Sequence, residues 1–168
     1  MTALTAAIQR PVKIPVGGLA TAEVPLAGYT NYASGTTAYT VYAGAPVVDD
    51  VSDTDGYFRD CPTGSSVNSA TGDVFGGIAA ETVAVTSADT ADGSKRLTVF
   101  RNGVWGFPKG NCAQTDIGAP AYASDTNTVT TTSSNNYWIG MIEEMDDTYV
   151  WVNIAAAFMH TFNAAQYN

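Results

Sequence analysis

The chain has 168 residues, 45% of them hydrophobic, enough for a single domain with its own core and too apolar for disorder to be the default. Charged residues make up only 14%, with seven Lys and Arg against sixteen Asp and Glu and a formal charge of −9. That balance argues against nucleic acid as a partner, because backbone phosphates are neutralised by clustered Lys and Arg, and only Arg10/Lys13 and Lys95/Arg96 lie close together.

No window reaches the run of about 18 apolar residues that a transmembrane helix needs. The leading MTALTAAIQRPVKIPVGG has neither the apolar core of a secretory signal nor a basic residue ahead of one. The expectation is a soluble protein made in a cytoplasm, without a membrane partner. Cys61 and Cys112 lie far apart and form no CxxC pair. A disulfide between them is one possibility, but in a cytoplasm two reduced thiols are expected. Zinc would need two further soft ligands that the sequence does not offer.

Clusters of Gly, Asn, Asp and Ser punctuate the chain about every ten residues, a rhythm of many short strands. Residues 1–35 carry Pro11, Pro15 and Pro25 among the β-prone bits VKIPV and AEVPL. Proline cannot donate to a central ladder, so these bits are expected as edge strands or as an extended N-terminal arm. TAYTVYAGAPVV (37–48) reads as one strand, with Tyr39, Val41 and Ala43 on one face. The stretch 48–73 reads as a long loop, of the kind that is functional, mobile or folded in an illegible way.

The pattern sharpens from residue 74. VFGGIAAETVAV (74–85) reads as a bent or bulged strand pair with Gly76-Gly77 at the bend. KRLTVFRNGVWGF (95–107) sets Asn102-Gly103 between two alternating runs, a strong short hairpin signal. Ser124-Asp125-Thr126-Asn127 and Asp146-Asp147 mark two more hairpins, and AAAFMHTFNAAQ (155–166) ends the chain as a short helix or docked tail. The expected architecture is all-β: a small barrel or sandwich of antiparallel hairpins over 36–158, with an N-terminal arm and a C-terminal tail at 159–168.

Few residues offer chemistry. RNGVWGFPKGN (101–111) holds three glycines, but a P-loop needs G-x-x-x-x-G-K-[ST] opening a helix. Lys109 instead precedes Gly110, Pro108 removes a donor, and no helical pattern follows. The glycines at 103, 106 and 110 also miss the dinucleotide fingerprint. Asp49, Asp50, Asp53, Asp55 and Asp60 invite calcium, yet with Gly56 in sixth place an EF-hand would need Val51 first and Pro62 twelfth. A solvated loop is the expectation, with Asp53 and Asp55 the candidates if a metal binds.

Glu143-Glu144 is a poor glycosidase pair, since neighbours on a strand point to opposite faces. His160 is the only histidine, and no G-x-S-x-G elbow accompanies it. The chain is therefore expected to be no enzyme and to hold no cofactor, although an active site hidden in loops stays open. Trp105, Phe107, Tyr137, Trp138, Tyr149 and Trp151 fall on predicted strands, where they fill a core, meet a subunit or line a sugar groove.

Residues 72–154 resemble the small capsid decoration, or head cement, proteins of tailed bacteriophages. The likeness lies in GDVFGGIAAETVAV, in TVFRNGVWGFPKG, in TDIGAPAYASDTNTVTTTS with Asp116, Gly118, Ala119, Pro120 and Tyr122, and in YWIGMIEEMDDTYVWVNI. It leaves the first 70 residues, the loop 48–73 and the tail after 158 outside the family pattern. The resemblance implies a structural virion protein on the outer capsid surface. It would bind the major capsid protein as a homotrimer and clamp neighbouring subunits. Arg10, Val12 and Lys13 on the arm, with Trp105 and Phe107, are the expected capsid or subunit contacts. An acidic protein suits the outside of a head better than the inside, where packaged DNA repels it. The competing expectation is a carbohydrate-binding β-module using exposed Trp and Tyr.

Overall fold

The computed structural model describes residues 5–30, 37–49, 56–61, 74–134 and 136–158. The described chain is all-β and almost wholly antiparallel. Its strands are β1 (Val12–Lys13), β2 (Thr21–Pro25), β3 (Tyr39–Val41), β4 (Pro46–Asp49), β5 (Phe58–Asp60), β6 (Val74–Ala79) and β7 (Val83–Val85), followed by β8 (Arg96–Phe100), β9 (Val104–Pro108), β10 (Pro120–Ala123), β11 (Val129–Thr130), β12 (Tyr137–Met145) and β13 (Tyr149–Asn153). A 3₁₀ turn at Gln114–Asp116 and one helical turn at 155–158 complete it.

The strands form a six-stranded sheet in the order β1-β9-β13-β12-β10-β11, a five-stranded sheet in the order β2-β8-β6-β4-β5, and a ribbon of β3 and β7. Among the described residues both large sheets keep open edges, so the described body is a sandwich and not a closed barrel. The five-stranded sheet is the middle layer. Its Val48, Phe75 and Ile78 join Phe107, Ile139, Ile142, Val150 and Val152 of the six-stranded sheet in the larger core. Its other face sends Val24, Val47, Leu97 and Val99 into a second core with Tyr39, Val41 and Val85 of the ribbon.

A bulge puts Phe75 and Ile78 of β6 into the same core. Phe75 pairs with Val48 and Gly77 with Val47, so Gly76 is an extra residue without an opposite number. Strict alternation would put Phe75 and Ile78 on opposite faces, and the extra residue returns Ile78 to the side of Phe75. The bend expected at Gly76-Gly77 is therefore real, but β6 and β7 are not a pair. After residue 80 the chain leaves the middle sheet, and β7 pairs with β3 instead.

The turn at Asn102-Gly103 also differs from the expected hairpin. β8 lies in the five-stranded sheet and β9 in the six-stranded one, so the turn passes the chain from one layer to the next. Asn-Gly chemistry bends the backbone, but the strands' partners are set elsewhere. Asn102 Oδ1 accepts from Ala20 N (2.6 Å), Asn102 Nδ2 donates to Gly18 O (3.1 Å), and these bonds tie the crossover to the N-terminal segment.

The other two turns make true hairpins. Asp125 Oδ1 accepts from the backbone N of Asn127 and Thr128, both at 2.6 Å, between β10 and β11. Asp146 Oδ1 does the same for Thr148 and Tyr149, both at 2.7 Å, between β12 and β13. Such side-chain to backbone bonds are why Asp favours tight turns.

The N-terminal prolines behave as edge chemistry requires. Residues 5–30 do not stand off the body: β1 is an edge of the six-stranded sheet and β2 an edge of the five-stranded one. The stretch 37–48 divides into β3 and β4, in different sheets. Within 48–73 the described residues 56–61 supply β5, which pairs with β4 through Val47↔Asp60 and Val48↔Arg59. Cys61 and Cys112 are buried thiols not joined in a disulfide, directed at Ala123 O and Val129 O, and burial pushes the Cys112 thiol up from its ordinary value.

Gly77 has φ +137°, and a Cβ there would come within 2.5 Å of Phe100 O. Gly77→Ala is expected to lower stability by about 3 kcal/mol, through backbone strain and overpacking together. A shift in the urea midpoint checks this; an unchanged midpoint would mean that the bulge relaxes freely.

Candidate functional site

The five residues expected at an interface separate into an inward group and an outward one. Arg10 is only 5% exposed. Its Nε donates to Gly44 O, and its Nη2 donates to Thr126 O at 2.9 Å and Asn127 Oδ1 at 3.1 Å. The guanidinium lies 4.1 Å from the centroid of the Phe107 ring. Burial pulls its pKa down to about 10, while Asp125 opposes the shift, so the group stays cationic at neutral pH. Arg10 is thus an internal clasp joining the N-terminal segment to both large sheets, and not the surface cation expected from its place on an arm.

Trp105 and Phe107 are 4% and 0% exposed and belong to the larger core. Trp105 Nε1 donates to Asn102 O at 2.9 Å, and its ring meets Phe100 at 5.2 Å. Val12 pairs with Trp105 across the ladder and packs partly buried on the same core. The face of β9 that carries Trp105 and Phe107 therefore meets the protein's own interior. Within this chain they are core side chains, which corrects the expectation of a partner contact.

Lys13, one residue on, lies on the outer face. Its ammonium sits 4.5 Å from the Trp151 ring centroid and is ion-paired with Glu144. Trp151 Nε1 donates to Asp146 Oδ2 at 2.7 Å, and Tyr149 packs edge-on to Trp151 at 5.9 Å. Beside them Pro11 O accepts from Gly106 N at 2.9 Å. A Cβ at Gly106 would meet Pro11 Cγ at 2.7 Å and the Tyr149 ring at 3.4 Å, so only glycine lets both rings close onto the sheet. The result is a patch of two aromatic rings and a proline ring, whose positions are held by a cation and two carboxylates. This patch is the candidate site.

The Asp146 carboxyl is held below the usual Asp range by the Trp151 indole N–H, then by the backbone N–H groups of Tyr149 and Thr148. Glu144 serves the patch as the partner of Lys13, while Glu143 accepts from Asn153 Nδ2 at 3.0 Å. A register shift between Ile142 and Glu144 sets this carboxylate pair out of simple alternation, and both are exposed. Sequence reasoning had the aromatics, the turn aspartates and Lys13 separately. It had no signal that strand order would place Lys13 on Trp151.

Among the described residues no group of three or more His, Cys, Asp or Glu is arranged to hold a metal. Asp53, Asp55 and His160 lie outside the described residues. No described helix is long and apolar enough to cross a membrane.

No family model, curated protein or solved structure matches the chain.

Replacing Arg10 by Lys leaves one ammonium to serve three acceptors. It is expected to cost about 2 kcal/mol in urea unfolding, whereas Lys13→Ala, in a half-exposed pair, should cost less than about 1 kcal/mol. Equal effects would show that the clasp carries no more weight than a surface ion pair. Asp146 has a lowered folded-state pKa, so its bond to Trp151 is fully present above the ordinary Asp value and is lost as pH falls through the lowered one. The Trp151 indole N–H resonance should move with that midpoint, and should not titrate in Asp146→Asn.

Proposed function

We propose that the chain is a structural virion protein. It binds the outside of a phage capsid through the outer face of its six-stranded sheet and stabilises contacts between major capsid protein subunits, as a trimer and without catalysis. The observation that carries the reading is the ordered patch of Pro11, Tyr149 and Trp151, buttressed by Lys13, Glu144 and Asp146. Trp and Tyr held in fixed positions are what protein interfaces favour, because little side-chain entropy is left to lose on docking. The resemblance of residues 72–154 to head cement proteins supports the same reading, as does an acidic charge of −9, unsuited to contact with packaged DNA.

A carbohydrate-binding module would use the same rings. The Lys13 ammonium over Trp151 and the bond from its Nε1 to Asp146 engage the indole within the chain, which counts against sugar stacking.

Purified protein mixed with heads that lack it should co-sediment and raise their melting temperature. The double variant Lys13→Ala, Trp151→Ala should weaken that binding about thirtyfold while keeping its circular dichroism. Absence of co-sedimentation across a range of salt would overturn the capsid reading. Quenching of tryptophan fluorescence by polysaccharide, lost in the Trp151 variant, would favour the sugar reading instead.

A further inference from the structure

Asn102-Gly103 is the only Asn-Gly step in the sequence. The pair is chemically reactive as well as turn-forming, because glycine has no side chain to shield its backbone nitrogen from the amide carbon of the asparagine before it. When Gly103 N attacks Asn102 Cγ, a new C–N bond closes a succinimide ring. The bond from Cγ to Nδ2 breaks, and ammonia leaves with the proton that Gly103 N gives up. Water then opens the ring at one carbonyl or the other. The product is aspartate, or isoaspartate with the main chain rerouted through the side chain.

The fold holds this amide in a tie. A donor, Ala20 N, faces Oδ1 at 2.6 Å and an acceptor, Gly18 O, faces Nδ2 at 3.1 Å, so the two partners fix how the side chain points. The backbone is held as well. Asn102 O accepts from Trp105 Nε1 at 2.9 Å, and Gly103 O accepts from Ile154 N at 3.2 Å. Gly103 is buried at φ +100°, where a Cβ would lie 3.0 Å from Leu19 Cδ2 and 3.2 Å from Val12 Cγ2. Attack requires the side chain to swing off both partners and the glycine to rotate against these neighbours. Both movements need residues 18–20 to open, and such an opening is a minor state of a packed segment.

We propose that Asn102 is a self-modification site whose deamidation the fold holds back, and which unties the N-terminal segment once it reacts. With aspartate at 102 the atom that donated to Gly18 O becomes an oxygen, and two acceptors then face each other with no proton between them. Isoaspartate goes further, adding a backbone carbon where the chain crosses from β8 to β9. Either product loosens residues 18–20, the stretch that leads from β1 into β2. The modification accumulates opening by opening, so it records how often this segment lets go. The inference rests on the crossover alone and is independent of the capsid reading.

The test keeps purified chain folded in mildly alkaline buffer and, in parallel, unfolded in urea at the same pH. Trypsin cuts after Arg101 and Lys109, and the mass and retention of peptide 102–109 distinguish asparagine, aspartate and isoaspartate. Conversion is expected to be at least about tenfold slower in the folded chain. Leu19→Ala removes packing that holds the segment to the larger core. It should speed conversion severalfold in the folded chain and leave the rate in urea unchanged. Should that variant fail to fold, Leu19→Val, a smaller deletion, replaces it. Asn102→Asp should lower the urea midpoint and speed hydrogen exchange at the Gly18 amide, which donates to Pro15 O in the intact loop. Equal conversion rates in the folded and unfolded chain overturn the proposal. So does a Leu19 variant that converts no faster than the wild type, or an Asn102→Asp chain with unchanged exchange at Gly18.

Discussion

The guanidinium of Arg10 ties the N-terminal segment to both of the large sheets at one point. A cation taken out of water is costly unless its donors are all satisfied. Here the donors reach the carbonyl of Gly44, just ahead of β4, and two acceptors at the tip of the β10–β11 hairpin, while the plane rests on Phe107 of β9. One side chain thus fixes the N-terminal segment, the middle sheet and the outer sheet relative to one another. Pro11, Val12 and Lys13 follow directly, so the position of the outer patch is inherited from the clasp. Without it, β1 would depend on the short ladder Val12↔Trp105 and Lys13↔Val104, on Val12 against the core and on the exposed contacts of Lys13.

What could be read from sequence was what local chemistry decides. The turns at Asp125 and Asp146 are legible because each carboxylate bonds backbone groups two and three residues ahead. The edge placement of the proline-rich segment is legible because a missing N–H is a local fact. The Asn102-Gly103 turn misleads for the same reason. The dipeptide specifies a bend, while the pairing of β8 with β2 and β6, and of β9 with β1 and β13, depends on hydrophobic faces far along the chain.

The candidate site is hidden by the same distinction. Arg10 and Lys13 look alike in sequence, two basic residues on one proline-flanked stretch. One is sunk into the core and the other lies on the outside, because its neighbours Gly44, Thr126 and Asn127 converge on Arg10 only after both sheets have formed. The alternation on β9 correctly puts Trp105 and Phe107 together, but periodicity does not say which side of a sheet is inside. Gly106, between them, carries the other half of the answer: its bare surface is where Pro11 and Tyr149 settle.

The passage of the chain from one layer to the other at Asn102-Gly103 also bears on the order in which the molecule is made. Of the two neighbours of β9, β1 emerges early in synthesis and β13 is the last strand among the described residues. Until Tyr149–Asn153 arrives, one edge of β9 has no partner, and Trp105 and Phe107 lack the cover of Val150 and Val152. The nascent chain therefore carries a strongly apolar strand with one edge unpaired until Tyr149–Asn153 has been made. That interval is when it is most open to aggregation and most dependent on the cell's holding machinery.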